Sequence, residues 1–327
     1  MVVLALATVS NIGSNLTLYT LNPATYLEAV PTYVGAVPSV QGINVWMLRV
    51  VAMLREAEGL SERAAELRTQ ADALVDELLD RMYVEGRGFF RCLYNASYGV
   101  ETRALHDFFY IGMAVCGWPE QRDSCRIPKQ IRAEMVAWSQ SECMTKDWMR
   151  AFSPNDALTY VGRADQGTTG SFSAWPAFAA HATAALQTED SNFTLALDMM
   201  QRFAHAAREG PWGQGREVWQ EPSGRAYSDE YAFKTARSTM RYVEEGGASF
   251  ADTVLQAYFG FQPPVLWPHV ALGDVEASQA ALDAALWRPS VPRGFNATLH
   301  GVRTPLGLAM IRSSAATGLT IALELPK

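Results

Sequence analysis

Between Gly42 and Met82 the apolar residues recur at helical spacing twice, with one glycine between the two runs. Ile43, Trp46, Met47, Val50, Val51 and Leu54 fall at i, i+3, i+4, i+7, i+8 and i+11, which predicts one apolar face of a helix ended by Gly59. Ser61 then stands where a cap belongs, and Leu67, Ala71, Leu74, Leu78 and Met82 form the stripe of a second helix. Two amphipathic helices joined by so short a turn must fold back on each other as an αα-hairpin. Each hairpin then needs further apolar surface to cover what it leaves open.

The rest of the chain supplies that surface. GRGFFRCLYN reads as a short strand turning back near Tyr98–Gly99, and helical patterns follow near 104–115, 127–143, 172–187, 193–208 and 250–259. Beyond Phe261-Gln-Pro-Pro the pattern shifts to strands at 295–299, 309–312 and 319–325, with glycine turns expected at 301, 307 and 318. The expected organisation is an irregular opening segment over 1–41, a helical body over 42–262 and a small β-rich region over 263–327. The fold class is mainly α: a toroid of helical hairpins, incomplete at this length, with a C-terminal β appendage.

Composition narrows the partners. Lys and Arg total 27 against 34 Asp and Glu, a net charge of -7, so no broad positive field attracts nucleic acid. Every long apolar run is broken by charge well short of the roughly 20 residues a membrane-spanning helix needs. Dinucleotide, P-loop, serine-hydrolase and zinc-protease motifs do not occur, and the pattern implies neither cofactor nor metal. His181, His205, His269 and His300 stand alone, without ligand spacing. The oligomeric state is left open.

Of the four cysteines, Cys116 and Cys125 are spaced to allow one bridge across GWPEQRDS, and four buried free thiols is the competing reading. Four of the eight asparagines (Asn15, Asn95, Asn192 and Asn296) begin Asn-x-Ser/Thr sequons, which points to the secretory pathway. The short apolar run Val2–Ala7 lacks the basic residues of a standard signal peptide.

Chemistry concentrates in the loops between helices. Trp148, Arg150 and Asp156 share one loop, Arg163, Asp165 and Trp175 the next, and Trp212, Gln214, Glu217, Trp219 and Glu221 a third. Indole faces stack on the C–H surface of a pyranose, and guanidinium and carboxylate groups hold adjacent hydroxyls, so this composition suits a saccharide. A carboxylate beside Trp219, partly desolvated, has the setting of a base that activates water. Asp107, at the head of FFYIGMAV, reads either as a helix cap or as a carboxylate at the mouth of the site.

These segments resemble the carboxyl-terminal part of the six-hairpin (α/α)6-barrel glycosidases, the group of trehalases and processing glucosidases. The resemblance rests on GINVWMLRVVAMLREAEGLSERAAELR, GRGFFRCLYN, RADQGTTGSFSAWPAFAAHATAAL and EVWQEPSG followed by GGASFADTVLQAYFGF. It implies a glycoside hydrolase with a general base at Glu217, or Glu221 in second place. The family's general acid lies upstream of the helix pair, where residues 1–41 hold only Glu28. The implied alternatives are a missing amino-terminal segment, an acid at Asp107, Asp156 or Asp165, or glycan binding without cleavage. A polysaccharide lyase on a related toroid is a further alternative, with His106 and Tyr110 taking the proton and Arg103 or Arg150 neutralising a uronate.

Overall fold

The computed structural model describes residues 33, 35–93, 99–117, 125–144, 149–150, 152–156, 172–173, 177–186, 194–208, 218–220, 225–226, 251, 253–261, 274–286, 296–314 and 317–324. It opens with the expected hairpin. Helix α1 spans Pro38–Ala57, its proline in the first turn, where a missing N–H costs nothing. The left-handed Gly59 (φ 78°) follows it, and α2 spans Ser61–Arg81. Ser61 does not cap α2: Leu60 holds that position, and the Ser61 hydroxyl donates back across the turn to Glu56 (2.9 Å). The α2 stripe is buried as the spacing predicts, with Ala64 and Val75 added.

On α1 the buried face is not the one that hydrophobicity predicts. Ser39, Gln41, Gly42, Val45, Arg49 and Ala52 are buried, while Trp46 and Leu54 remain 43% and 40% exposed. The reason is the neighbour that α1 meets, helix α3 (Leu105–Cys116). Gly42 lies so close to it that a Cβ would stand 3.2 Å from the Tyr110 carbonyl oxygen. Further along, Arg49 Nη1 donates to the Ala114 and Val115 carbonyls at 3.0 Å, satisfying acceptors that the end of α3 leaves open. Small and polar residues therefore win this face over the larger apolar ones.

The residues of α1 at 39, 42 and 49 meet those of α3 at 107, 110–111 and 114–115 in rising order, so the two helices run parallel. Helix α5 (Ala177–Leu186) packs on the other side of α3, where Gly112 leaves room for Ala182 and Leu186. Helix α6 (Thr194–Arg208) lies on α5, tied by Thr183 Oγ1 to Met199 Sδ at 3.2 Å. Helix α4 (Lys129–Trp138) continues into a wider π-type turn over Ser139–Cys143, which accounts for the expected helical stretch to 143. The expected helix over 172–187 begins later, at Ala177: Pro176 disfavours helical backbone at the residue before it, and Phe172–Ser173 is a strand (β3).

One core joins these helices. Phe108, Phe109, Ile111 and Val115 of α3 meet Leu74 and Leu78 of α2, Met135 and Trp138 of α4, Ala182 and Leu186 of α5 and Met199 of α6. Burying each large side chain contributes about 1.5–3 kcal/mol. Between α2 and α3, β1 (Arg91–Leu93) pairs antiparallel with β2 (Gly99–Glu101). Cys116 and Cys125 form a disulfide, and Cys92 and Cys143 are buried free thiols, so of the two readings the single bridge is the one found. Among the described residues no helix is long and apolar enough to cross a membrane.

The C-terminal region contains a helix the sequence reading omits. Helix α7 (Val275–Ala284) begins at Asp274, whose carboxylate accepts the Ala277 amide at 2.9 Å. Three antiparallel strands follow, β6 (Ala297–Thr304), β7 (Gly307–Ser314) and β8 (Gly318–Leu323), with β7 central. Gly307 and Gly318 are at the turns as expected, but Gly301 (φ 70°) is inside β6, at an irregularity between Leu299 and Val302. The sheet shares a second core with Phe259, Phe261 and Leu282, so its packing reaches back before residue 263. Within the helical stretch expected over 250–259, Val254–Tyr258 forms a π-type turn.

Gly88 sets a local limit. It adopts φ 74°, and a Cβ there would lie 2.1 Å from the Glu134 carbonyl oxygen of α4. Gly88→Ala is expected to cost about 1–3 kcal/mol from the left-handed backbone alone, and more as α4 is pushed away. Thermal unfolding should show a Tm several degrees lower; an unchanged Tm would contradict this packing.

Candidate functional site

The first turn of α3 has no cap from its own neighbourhood, because Ala104 holds the N-cap position. Asp107, in that turn, reaches across to α1 instead. Its Oδ1 accepts the Ser39 backbone amide at 2.9 Å and a short hydrogen bond from the Tyr33 hydroxyl, which is also bonded to Ser39 Oγ at 2.7 Å. Val37, the N-cap residue of α1, offers no side-chain acceptor, so α3 supplies the cap that α1 lacks. Asp107 is only 2% exposed, and its Oδ2 has no hydrogen-bond partner among the described residues. Burial pushes its carboxyl up to about 8, against the opposing pull of the Tyr33 and Ser39 hydrogen bonds. Burial, then the nearby Asp107, holds the Tyr33 hydroxyl well above its ordinary range.

Asp156 arrives at the same end of α3 from the loop that follows α4. Phe152 bridges to Ala104, the Ser153 amide donates to the Arg103 carbonyl (3.0 Å), and Asp156 Oδ2 accepts the Arg103 amide (2.8 Å). Burial raises the Cys92 thiol, and Asp107 and Asp156 both add to that shift, so the two carboxylates share this neighbourhood. The segment Ser153-Pro-Asn-Asp forms a turn here, closed by the Asp156 amide on the Ser153 carbonyl (3.1 Å).

Arg103 is fully engaged. Its guanidinium pairs with Glu142 (3.2 Å), approaches Glu101 (3.8 Å) and lies 4.6 Å over the Phe89 ring. Glu142 also accepts a short hydrogen bond from the Ser153 hydroxyl, and Arg150 reaches the Glu142 carbonyl at 3.5 Å. His106 is buried against Phe109 and Tyr110, with ring centroids 4.9 and 5.6 Å away, and burial pushes it down to about 3. It is neutral at physiological pH.

A second gathering is made by backbone pairing alone. Strand β3 pairs antiparallel with β4 (Val218–Gln220), Phe172 opposite Trp219 and Ser173 opposite Val218, and β4 pairs with β5 (Arg225–Ala226). Glu217 and Glu221 flank β4 in sequence, and Trp175 follows β3 by two residues. The ladder therefore pairs two short strands that neighbour, in sequence, the second and third chemistry-rich loops.

Of the sequence candidates, Asp107, Asp156 and Arg150 are placed around the start of α3 and the turn after α4. Trp148, Arg163, Asp165, Trp175, Trp212, Gln214, Glu217 and Glu221 lie outside the described residues. Tyr33, Ser39 and Glu142 are not among the sequence candidates. Glu142 fell inside an expected helix, and Tyr33 and Ser39 carry no motif that separates them from ordinary loop and helix-start residues. Among the described residues, no group of three His, Cys, Asp or Glu side chains is arranged to hold a metal.

Comparison with known proteins gives a fold likeness. No family model matches the chain, and no curated protein does. A solved structure named sialidase superposes with a TM-score of 0.64 at 12% identity, covering 93% of this chain. The chain spans 27% of that protein's length.

Asp107 gives this end of the fold a pH dependence. Unfolded, its carboxyl ionises near 3.8; folded, it holds its proton up to about 8. Below the lower value both states are protonated and the contribution to stability is fully present. As pH rises through the window the unfolded state alone ionises, so stability falls until the folded group ionises too. Asp107→Asn keeps an Oδ1 acceptor and does not titrate. The Tm difference between the variant and wild type should move in the variant's favour from about pH 4 to about pH 8; parallel curves would refute the buried, protonated carboxyl.

Proposed function

We propose that the chain belongs to a glycoside hydrolase-like (α/α) toroid that binds a glycan or polysaccharide and hydrolyses a glycosidic bond with paired carboxylates. The helical body over 42–262 carries the site, and the β-rich region over 263–327 supports it. The observation that supports the reading is the β3–β4 ladder, whose strands neighbour in sequence the loop of Arg163, Asp165 and Trp175 and the acids Glu217 and Glu221. The parallel α1–α3 pair, with α2 returning between them in sequence and α5 next in the row, is the arrangement that successive hairpins of a toroid give. The likeness to a structure named sialidase agrees with a glycosidase-type scaffold.

In this proposal Glu217 is the general base and Asp165 the general acid. An inverting pair stands roughly 6.5–9.5 Å apart with a water between, and a retaining pair about 5–5.5 Å. Trp148, Arg150, Arg163, Trp175, Trp212, Gln214 and Glu221 bind the sugar. Asp107 and Asp156 have little access to solvent, so they are positioning residues that fix the end of α3. The lyase alternative has less support: Arg103 is already paired, and His106 is buried and weakly basic.

Glu217→Gln should lower release of reducing ends from a cleaved oligosaccharide by roughly 10²- to 10⁴-fold while leaving binding intact. Tyr110→Phe should leave turnover within a few-fold. Loss of activity in Tyr110→Phe with Glu217→Gln active would turn the assignment to a lyase. Saturable binding with no reducing ends from wild type would leave a glycan-binding protein.

A further inference from the structure

We propose that Asn296 is an N-glycan acceptor and that the chain matures in an oxidising, secretory compartment. Three observations carry this independently of the catalytic reading.

The first is the local geometry of the sequon Asn296-Ala-Thr298. Asn296 immediately precedes β6; it and Thr298 are exposed while Ala297 between them is half-buried. Alternation along a strand puts residues 296 and 298 on one face, the open one. A glycan is attached before or during folding, so the finished fold must leave it room, and this position does.

The second is the place of β6 in the sheet. The order is β6-β7-β8, so β6 is an edge strand among the described residues, its outer row of amides and carbonyls a template for another chain. The β8 edge is partly covered by α7, from which Gln279 Nε2 donates to the Ile321 carbonyl at 2.6 Å. A bulky, hydrated glycan at the head of β6 obstructs pairing at an edge that no described helix covers.

The third is the Cys116–Cys125 disulfide, a bond that persists in oxidising compartments, in which N-glycosylation also occurs. The step is a group transfer from a lipid-pyrophosphate-linked oligosaccharide. The Asn296 side-chain nitrogen Nδ2 attacks the anomeric carbon, forming the C–N bond as the C–O bond to the lipid pyrophosphate breaks. One amide proton passes to a base on the transferase, and the lipid pyrophosphate leaves with the bonding electrons. No oxidant or reductant is consumed.

The test is peptide mapping of the protein purified from its source organism, with and without peptide N-glycosidase, alongside thiol counting after denaturation without reductant. The expected result is a glycan on the Asn296 peptide, released by the enzyme with conversion of the residue to aspartate, and two free thiols, Cys92 and Cys143. An Asn296 peptide recovered wholly unmodified overturns the acceptor assignment, and four free thiols overturn the compartment. Asn296→Gln, secreted from a eukaryotic host, should lose one glycan's mass from the intact protein. An unaltered mass would mean that Asn296 is not used. Because none of these readouts depends on turnover, failure here is distinguishable from failure of the glycosidase reading.

Discussion

The carboxyl of Asp107 is where two helices are held in register. Parallel neighbouring helices set their macrodipoles side by side, positive end beside positive end, an arrangement that opposes association. Hydrogen bonds offset that opposition at both ends of α3: the Asp107 carboxyl accepts the Ser39 amide of α1's first turn, and the Arg49 guanidinium caps the Ala114 and Val115 carbonyls. The Cys116–Cys125 bridge then ties the end of α3 to the start of the next segment. From Arg49 a chain of charge runs through Asp72 (3.6 Å) and Arg126 to Asp76, joining α1, α2 and the residues after the disulfide. Its exposed members add little individually, about 0–1 kcal/mol each. The buried Arg49 and Asp107 matter more, since removing either leaves buried polar partners without water.

What the sequence made legible follows from this division. Where an element buries apolar side chains against apolar side chains, as α2 does with Leu67, Leu74 and Leu78, periodicity found both the element and its face. Where an element meets backbone, as α1 does at Gly42 and Arg49, the same method found the helix and chose the wrong side. Hydrophobicity cannot register a glycine chosen for close approach or an arginine chosen for orphan carbonyls. Helix α7 was missed for a simpler reason: its short run of alanine and polar residues carries little periodicity, although Asp274 was a readable cap. The wider turns at Ser139–Cys143 and Val254–Tyr258 have no sequence signature in a pattern of period 3.6.

The candidate site divides in the same way. Asp107 was visible as an acid at a helix start, and both readings of it were open; its partners Tyr33 and Ser39 come from 74 and 68 residues away, a pairing only the fold reveals. Asp156 reads as a member of a sugar-binding loop system, yet in the fold it accepts the Arg103 amide and locks the turn after α4 onto the start of α3. The proposed catalytic pair and most of the proposed sugar-binding residues instead neighbour, in sequence, the paired strands β3 and β4. Side chains on fixed backbone lose less entropy when a ligand arrives, so paired strands suit the support of a binding site.

In the proposed reading, the glycan lies where β3 and β4 meet. Amide hydrogen exchange with and without a bound oligosaccharide addresses it directly. Exchange should slow at Phe172–Ser173 and Val218–Gln220, with the edge strand β6 and the outward side of α2 unaffected. Protection confined to α2 or to the C-terminal sheet, with β3 and β4 unchanged, would contradict it.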